Sequence, residues 1–285
     1  MLLAETIADV RTELAELRRS GARVGLVPTM GALHAGHWSL VERCVRECGV
    51  AVVSLFVNPL QFGPQEDLAR YPQTHAEDRA GCRQRGVALL FSPSAEEMYG
   101  GGVLTRIRVA ELGEVLCGAT RPGHFDGVCT VVCKLFNIVQ PDVAYFGEKD
   151  FQQLVVIRRM VRDLSLQVEI VGCPIVRAED GLALSSRNAY LSADERRRAP
   201  AIHEALQHAQ TRVRAGERDA RTITAEVERL LRNKVDVIEY VALVDTAALT
   251  PVDTLRGPAR LCAAVRLGSA RLIDNVAVDG GEQSH

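Results

Sequence analysis

Two histidines in a turn are the first feature of this sequence that could do chemistry. His34 and His37 lie in VPTMGALHAGHWSLVERC, residues 27–44, between an apolar strand-like run and a helical pattern. Gly31 and Gly36 would let the backbone approach a ligand closely, and the free N–H groups of a helix start attract anions. Imidazoles placed there can donate to phosphate oxygens while charge builds up during substitution at phosphorus.

Two other interpretations of these histidines remain open. They could cap the helix or pack against the sheet, without any ligand. They could also bind zinc, although His-x-x-His lacks the i,i+4 spacing and the glutamate of the helical zinc motif. The spacing alone does not decide between these roles.

Side-chain amides follow the second apolar run. Asn58 and Gln61 flank Pro59 in SLFVNPLQF. Amides both donate and accept hydrogen bonds, which suits a ligand with hydroxyl and carboxylate groups. A simple Asn-Pro turn is the stronger interpretation of this stretch by itself.

A lysine opens the helical pattern after a later strand. In VAYFGEKDFQQL, Gly147 follows the strand-like run and Glu148 begins the helix. The helix dipole favours an acid at this end but disfavours Lys149. The lysine could meet a phosphate and Asp150 could accept from ribose hydroxyls. Gln153, one turn further on, can face the same cleft.

A fourth cluster follows a tight turn. Asp180 and Gly181 mark the turn in DGLALSSRN, and Ser185, Ser186 and Arg187 then place two hydroxyls and a guanidinium together. In isolation this is a loop and helix cap. It falls, however, at an expected domain junction, where ligand clefts and mobile lids are common.

Alternating elements must position these clusters. The predicted strands are Arg23–Pro28, Val50–Val57, Val87–Phe91, Val143–Phe146 and Val168–Gly172. Helical patterns lie around 37–48, 75–85, 127–139 and 150–163, and the N-terminal twenty residues form an amphipathic helical pattern. The alternation predicts an α/β fold, a doubly wound, Rossmann-like and largely parallel sheet whose strands are apolar because both faces are covered. In such sheets, ligands bind at the carboxyl ends of the strands.

The pattern changes after residue 175. Ser192 and Glu195 have capping-box spacing and start a helix, and a second helix is predicted over 219–233. Strand-like segments follow at 237–244, 260–266 and 271–278. We therefore predict a Rossmann-like domain over 1–175 and a smaller α+β domain over 176–285.

Composition narrows the classes of function. The chain has 285 residues, 47% of them hydrophobic, and a net charge of -2, which disfavours a nucleic-acid partner. No apolar run is long enough to cross a membrane. Eight scattered cysteines without a CxxC pair predict reduced, buried thiols in a cytoplasmic protein.

In this order, the motifs resemble those of the pantoate–β-alanine ligase family. The motifs are PTMGALHAGH, FVNPLQF, RPGHFDGV, FGEKDFQQL and DGLALSSRN, and the resemblance extends to the closing RLGSARLIDN. In family terms, HAGH is the His-x-Gly-His signature shared with nucleotidyltransferases and class I aminoacyl-tRNA synthetases. LSSRN is the counterpart of their Lys-Met-Ser-Lys-Ser loop.

The resemblance implies a role for residues of each motif. The ATP site would comprise Met30, Gly31, Ala32, Leu33, His34, Ala35, Gly36, His37, Gly147, Glu148, Lys149, Asp150, Val176, Leu184, Ser185, Ser186 and Arg187. Gln61 and Gln153 would hold pantoate, Gln61 also touching β-alanine, and Asn58 and Arg121 would assist. The catalytic groups would be His34, His37, Lys149 and Arg187, acting as cationic donors around the phosphorus, with His37 as proton donor.

The implied reaction condenses pantoate with β-alanine through a pantoyl adenylate, releasing AMP and pyrophosphate. The resemblance also implies Mg²⁺ bound through the ATP phosphates, no protein metal site, and a homodimer. Two alternatives remain: a cytidylyl- or adenylyltransferase of the same superfamily, and a non-catalytic nucleotide sensor. Ala35 and Trp38 depart from the family pattern of a glutamate and a smaller apolar residue, but neither position must supply a catalytic group.

Overall fold

The N-terminal part of the chain forms one parallel sheet. A computed structural model describes residues 1–19, 21–64 and 66–281. The strands are β1 (Leu2–Ala4), β2 (Val24–Thr29), β3 (Val50–Leu55), β4 (Leu89–Phe91), β5 (Val143–Gly147) and β6 (Glu169–Cys173). Their order is β1-β4-β3-β2-β5-β6, and every pairing is parallel. The predicted doubly wound α/β fold is confirmed.

Helices cover both faces of this sheet. They are α1 (Ile7–Arg18), α2 (Ala35–Glu47), α3 (His75–Gln84), α4 (Ala95–Tyr99), α5 (Cys117–Thr120), α6 (His124–Val139) and α7 (Phe151–Asp163). Val52 of β3 joins the core formed with α1, α6 and α7, whereas Val53 joins the core formed with α2 and α3. Successive side chains of a strand point to opposite faces, so an uninterrupted apolar run fits a sheet covered on both sides.

The strand order reverses beside β2. From β2 the chain continues outward to β3 and β4, and it then returns to place β5 on the other side of β2. A crevice opens outside the carboxyl ends of the strands at such a reversal. The loops that leave β2 at Thr29 and β5 at Gly147 therefore face each other across it.

The C-terminal part has its own sheet and core. Its elements are α8 (Ala193–Arg198), α9 (Ala201–Arg214), α10 (Ala220–Leu231), β7 (Val237–Asp245), β8 (Pro258–Leu267) and β9 (Ala270–Asp279). The strands pair antiparallel in the order β7-β8-β9. Leu272 faces the core shared with α9 and α10, whereas Ile273 packs against the N-terminal core. The boundary after residue 175 stays a prediction.

Several element boundaries differ from the sequence prediction, among them the start of the chain and the start of α6. Residues 2–4, predicted as helix, form the edge strand β1, and the helix begins after Thr6, whose hydroxyl accepts from the N–H of Asp9. Three residues are too few to show a strand period. Helix α6 begins at His124 rather than 127, directly after Gly123 with φ of 78°. Among the described residues, no helix combines the length and apolar character needed to cross a membrane.

Candidate active site

Two adjoining cavities lie at the crevice. The inner cavity is enclosed by the carboxyl ends of β2, β3 and β5, by α6 and by the junction segment 174–187. The outer cavity lies between α5, the start of α7 and the face of β9 that is turned toward the N-terminal part. Both are lined by Arg121, His124, Lys149, Asp150 and Gln153, so the two open into each other.

The two histidines cap helix α2 and also line the inner cavity. His34 is the N-cap residue, and its Nδ1 accepts from the N–H of Gly36 at 3.1 Å. The Nδ1 of His37 accepts from the N–H of His34 at 3.4 Å. Because each Nδ1 accepts, the proton of each neutral ring lies on Nε2. The capping interpretation and the ligand interpretation are therefore compatible.

Burial favours the neutral form of both imidazoles. Burial, and next the charge of Lys149, lower the pKa of His34 to about 4. Burial, and next His34, lower the pKa of His37 to about 3. From the sequence we expected cationic imidazoles, whereas the lowered pKa values favour neutral rings with Nε2–H donors, because a protonated ring would be poorly solvated here.

A buried carboxylate holds the loop between β2 and α2. Asp78 of α3 is 1% exposed and accepts from the N–H groups of Ala32 at 2.9 Å and Leu33 at 2.8 Å. The loop turns through Gly31 and Ala32, both with positive φ. Sequence reasoning missed Asp78, because an acid in the first turn of a helix needs no partner to be explained.

The two departures from the family pattern lie outside the inner cavity. Ala35 is an exposed residue at the start of α2. Trp38 packs against α3, where a Cβ on Gly81 would come within 2.5 Å of the indole, and the Arg85 guanidinium carbon lies 4.2 Å from the indole centroid. Neither residue lines the inner cavity.

Asn58 and Gln61 bring side-chain amides to one end of the inner cavity, which we call the amide end. Its Nδ2 donates to Gln61 Oε1 at 3.0 Å and to the carbonyl of Gly127 at 3.1 Å, while its Oδ1 accepts from the Tyr99 hydroxyl at 2.9 Å. The Asn58 side chain is thus occupied by the protein and fixes the rotamer of Gln61. The Nε2 of Gln61 lies 3.1 Å from the Met30 sulfur, which is only a weak acceptor. Gln61 Nε2 is therefore more available to a ligand than the Asn58 amide.

Arg121 and His124 support the same end. The Nδ1 of His124 is 2.8 Å from the carbonyl oxygen of Gln61, and its Nε2 is 3.0 Å from Arg121 Nη1. A guanidinium only donates, so Nε2 accepts and Nδ1–H donates to the carbonyl. Burial, and next Arg121, lower the His124 pKa to about 4. Glu66 pairs with Arg121 through both carboxylate oxygens.

The loop after β5 sends its side chains in different directions. Lys149 and Asp150 line the inner cavity, with the Lys149 Nζ 3.7 Å from Asp150 Oδ1. Gln153 lines it too. Glu148 does not: its Oε2 accepts from Arg260 of β8 at 2.9 Å. Its side chain thus belongs to the contact between the two sheets.

The junction segment brings a guanidinium to the cavity. Arg187 donates from Nε and Nη2 to the two oxygens of Asp67, at 2.9 and 3.0 Å. Its backbone N–H donates to the Ser185 hydroxyl at 3.3 Å. The hydroxyls of Ser186 and Tyr71 lie 3.1 Å apart. The segment is therefore tied to the loop between β3 and α3.

Most of the predicted site residues meet at one place. Those lining the inner cavity are Met30, His34, Gly36, His37, Asn58, Gln61, Arg121, Gly147, Lys149, Asp150, Gln153, Val176, Leu184, Ser185, Ser186 and Arg187. Gly31, Ala32, Leu33, Ala35 and Glu148 are not part of its lining. Sequence reasoning also missed the lining residues Thr29, Phe56, Tyr71, Val128, Val131, Val132, Leu135 and Tyr145. The apolar face of α6 can be recognised in the sequence. Which part of that face lines a cavity cannot be read from the sequence.

Comparison with known proteins finds one family over nearly the whole chain. The family model of pantoate-beta-alanine ligase matches residues 2–277. Pantothenate synthetase 1 of Bradyrhizobium diazoefficiens is 53% identical over 277 residues, covering 97% of this chain and 98% of the relative. The pantothenate synthetase of Rhizorhabdus wittichii is 55% identical over 280 residues, covering 98% and 99%.

Solved structures show the same similarity. A pantothenate synthetase from Thermus thermophilus superposes with a TM-score of 0.92 at 49% identity, covering 97% of this chain and 99% of that chain. A pantoate-beta-alanine ligase from Francisella tularensis, complexed with beta-gamma ATP and beta-alanine, gives a TM-score of 0.80 at 34% identity. That comparison covers 97% of both chains.

Proposed function

The chain belongs to the pantoate–β-alanine ligase family, and we propose how its own residues carry out the reaction of that family. The protein is an ATP-dependent ligase that joins pantoate to β-alanine in pantothenate biosynthesis. One observation carries the assignment of residues: imidazole, ammonium and guanidinium groups converge with two glutamine amides on a single cavity.

Pantoate occupies the amide end in this proposal. Gln61 and Gln153 bind its carboxylate and hydroxyl groups, since amides can donate to one and exchange hydrogen bonds with the other. Its two methyl groups lie against the apolar floor formed by Phe56 and the uncovered face of α6. Burying those methyls contributes roughly 0.8 kcal/mol per carbon. Asn58 acts by holding Gln61 in place.

ATP lies across the crevice with its phosphates between the β2 and β5 loops. The Nε2–H groups of His34 and His37 donate to phosphate oxygens, with Lys149 and Arg187 adding positive charge. A carboxylate oxygen of pantoate attacks the α-phosphorus, the bond to the bridging oxygen breaks, and pyrophosphate leaves with the electron pair. The donors stabilise the charge that develops on the phosphorus oxygens.

The second half-reaction occurs in the same cavity. The neutral amine of β-alanine attacks the acyl carbon of pantoyl adenylate, AMP leaves, and the nitrogen loses a proton. Positioning supplies much of the rate, because the two reactants are held side by side. The junction segment, tied to Tyr71 through Ser186, covers the anhydride and excludes water from it.

Magnesium accompanies the nucleotide in this proposal. In the part of the chain that the structure describes, no group of three or more His, Cys, Asp or Glu side chains could hold a metal ion. The carboxylate of Asp150, which lines the inner cavity, is paired with Lys149. In this proposal Mg²⁺ enters as part of the substrate, bound by the phosphate oxygens of ATP, because hard cations prefer oxygen ligands.

We also propose a cytoplasmic homodimer. Residues 103–109 run outside both sheets, and Leu104 among them is 99% exposed. An extended segment with an exposed leucine can pair with its copy in a second chain. All eight cysteines are buried free thiols, which fits a reducing compartment. Sedimentation equilibrium tests the dimer: a particle of 31.1 kDa would contradict it.

Isotope exchange between pyrophosphate and ATP tests the proposed reaction. Exchange should require pantoate, because adenylate formation is the reversible step, and adding β-alanine should release free AMP. Exchange without pantoate would contradict the order of steps. A nucleotide left attached to the product would identify a nucleotidyltransferase, and ATP binding without turnover would identify a sensor.

A further inference from the structure

The C-terminal sheet holds the main chain of the β5 loop through one buried carboxamide. Asn275 of β9 is 3% exposed, and its Nδ2 donates to the carbonyls of Glu148 and of Lys149, both at 3.0 Å. Both hydrogens of the amide are thereby used. The closing RLIDN motif, to which Asn275 belongs, has no part in the reaction described so far.

These two bonds orient two peptide groups beside the inner cavity. In a trans peptide the C=O and the next N–H point in opposite directions, and the structure has no cis peptide among its described residues. Holding the carbonyls of Glu148 and Lys149 toward β9 therefore aims the N–H groups of Lys149 and Asp150 away from β9. Both residues line the inner cavity, and they also line the outer cavity together with Asn275.

Neighbouring contacts keep the carboxamide in place. Asp274, 3% exposed in its side chain, pairs with Arg177 of the junction segment at 2.6 and 2.9 Å, and it also accepts from the N–H of Asn275 at 2.7 Å. Arg260 on β8 binds Glu148 and stacks over the Phe151 ring at 4.2 Å. The sheet thus fixes both ends of the short segment from 148 to 151.

The Asn275 side chain carries an energetic penalty that a simple packing role would not explain. Its Oδ1 is buried without a hydrogen-bond partner, among the described residues. An unpaired buried acceptor destabilises the folded protein, and an apolar side chain of similar size would avoid the penalty. The donors on Nδ2 are what an apolar residue could not supply.

We propose that Asn275 is a positioning residue for nucleotide binding, acting through the carbonyls of Glu148 and Lys149. It directs two backbone N–H donors and the Cα–Cβ bond of Lys149 toward the phosphates and ribose of ATP. The C-terminal sheet is then a structural half of the nucleotide site. This inference rests on the proposed function.

Three substitutions test it by steady-state kinetics with each substrate varied in turn. Asn275→Ala should raise the KM for ATP about tenfold while the KM for β-alanine stays within about twofold of wild type. Asn275→Asp keeps the shape but sets carboxylate oxygens against two carbonyls, so it should bind ATP more weakly than Asn275→Ala. A packing role predicts the reverse order. If Asn275→Ala or Asn275→Asp does not fold, Asn275→Ser is measured in its place. The same increase in the KM for ATP, without an increase for β-alanine, is then expected.

The matched control removes a carboxamide elsewhere. Asn137 also donates from Nδ2 to a backbone carbonyl, that of Cys133 at 2.8 Å, but within α6 and outside both cavities. Asn137→Ala should leave both KM values unchanged. An unchanged KM for ATP in folded Asn275→Ala, or equal increases for both substrates, would overturn the inference. Absence of pantoate-dependent exchange in the wild type would instead overturn the proposed function.

Discussion

The dual contact of His37 allows its capping and catalytic roles to be separated. Its Nδ1 accepts from the N–H of His34 at 3.4 Å, while its Nε2–H is left to donate into the inner cavity. In His37→Asn, the amide oxygen takes the place of Nδ1 and the donor at Nε2 is lost. In His37→Gln, the amide nitrogen reaches the position of Nε2 and restores a neutral donor.

The expected effects follow from these contacts. Removing one donor to a developing oxyanion lowers kcat about 100- to 1000-fold, so His37→Asn and His37→Ala should each lose at least about 100-fold. His37→Gln should stay within about tenfold of wild type, because the lost ring was neutral rather than cationic. The capping bond is long, so the free energy of unfolding should change by less than about 1 kcal/mol.

Activity is measured as the rate of pantoate-dependent pyrophosphate exchange at saturating substrates. Urea titration measures the free energy of unfolding. His208→Ala is the control, since His208 pairs with Glu226 on the surface at 2.8 Å, away from both cavities. Near wild-type exchange in folded His37→Asn would refute the catalytic role. Equal inactivity of His37→Gln and His37→Asn would refute the neutral-donor argument.

Three further predictions concern the support of this site. Asp78→Asn removes the charge from two hydrogen bonds and should lower the free energy of unfolding by about 1.5–3 kcal/mol, and an unchanged urea midpoint would contradict this. In Gly36→Ala the new Cβ would lie 2.9 Å from the His34 ring, so kcat should fall at least about tenfold in a protein with unchanged circular dichroism. The folded pKa values of His34 and His124, about 4, lie below the ordinary 6.5, so the unfolded chain binds more protons between these values. Stability should therefore fall as pH drops from 6.5 toward 4; urea titrations across that range measure it, and His34→Gln should reduce the slope.

Local patterns were enough to place the main elements and the ends of the strands. Val52 and Val53 are both apolar because each faces a covered side of the sheet, and this is visible in a short window. The loops at Thr29 and Gly147 could be placed at one edge because parallel strands end there together. Site residues that follow a strand were therefore accessible to sequence reasoning.

Pairings across the fold were not accessible. Asp78 binds the loop before α2, Asp67 binds Arg187, and Glu148 turns to Arg260. The partners are 46, 120 and 112 residues apart along the chain. An acid at a helix start or in a loop has the same local pattern whether it meets a cation, a backbone N–H or water. The neutral state of the imidazoles was missed for a similar reason, because burial is set by the whole fold.

The resting cavity is close to electrical balance. Asp67 pairs with Arg187, Glu66 pairs with Arg121, and Asp150 lies beside Lys149. A lone inorganic phosphate or sulfate must compete with a carboxylate for each of these three cations. Only a molecule that also contacts the apolar floor and the amide groups gains enough binding free energy to displace these carboxylates. We therefore expect inorganic phosphate and sulfate to compete only weakly with ATP for this cavity.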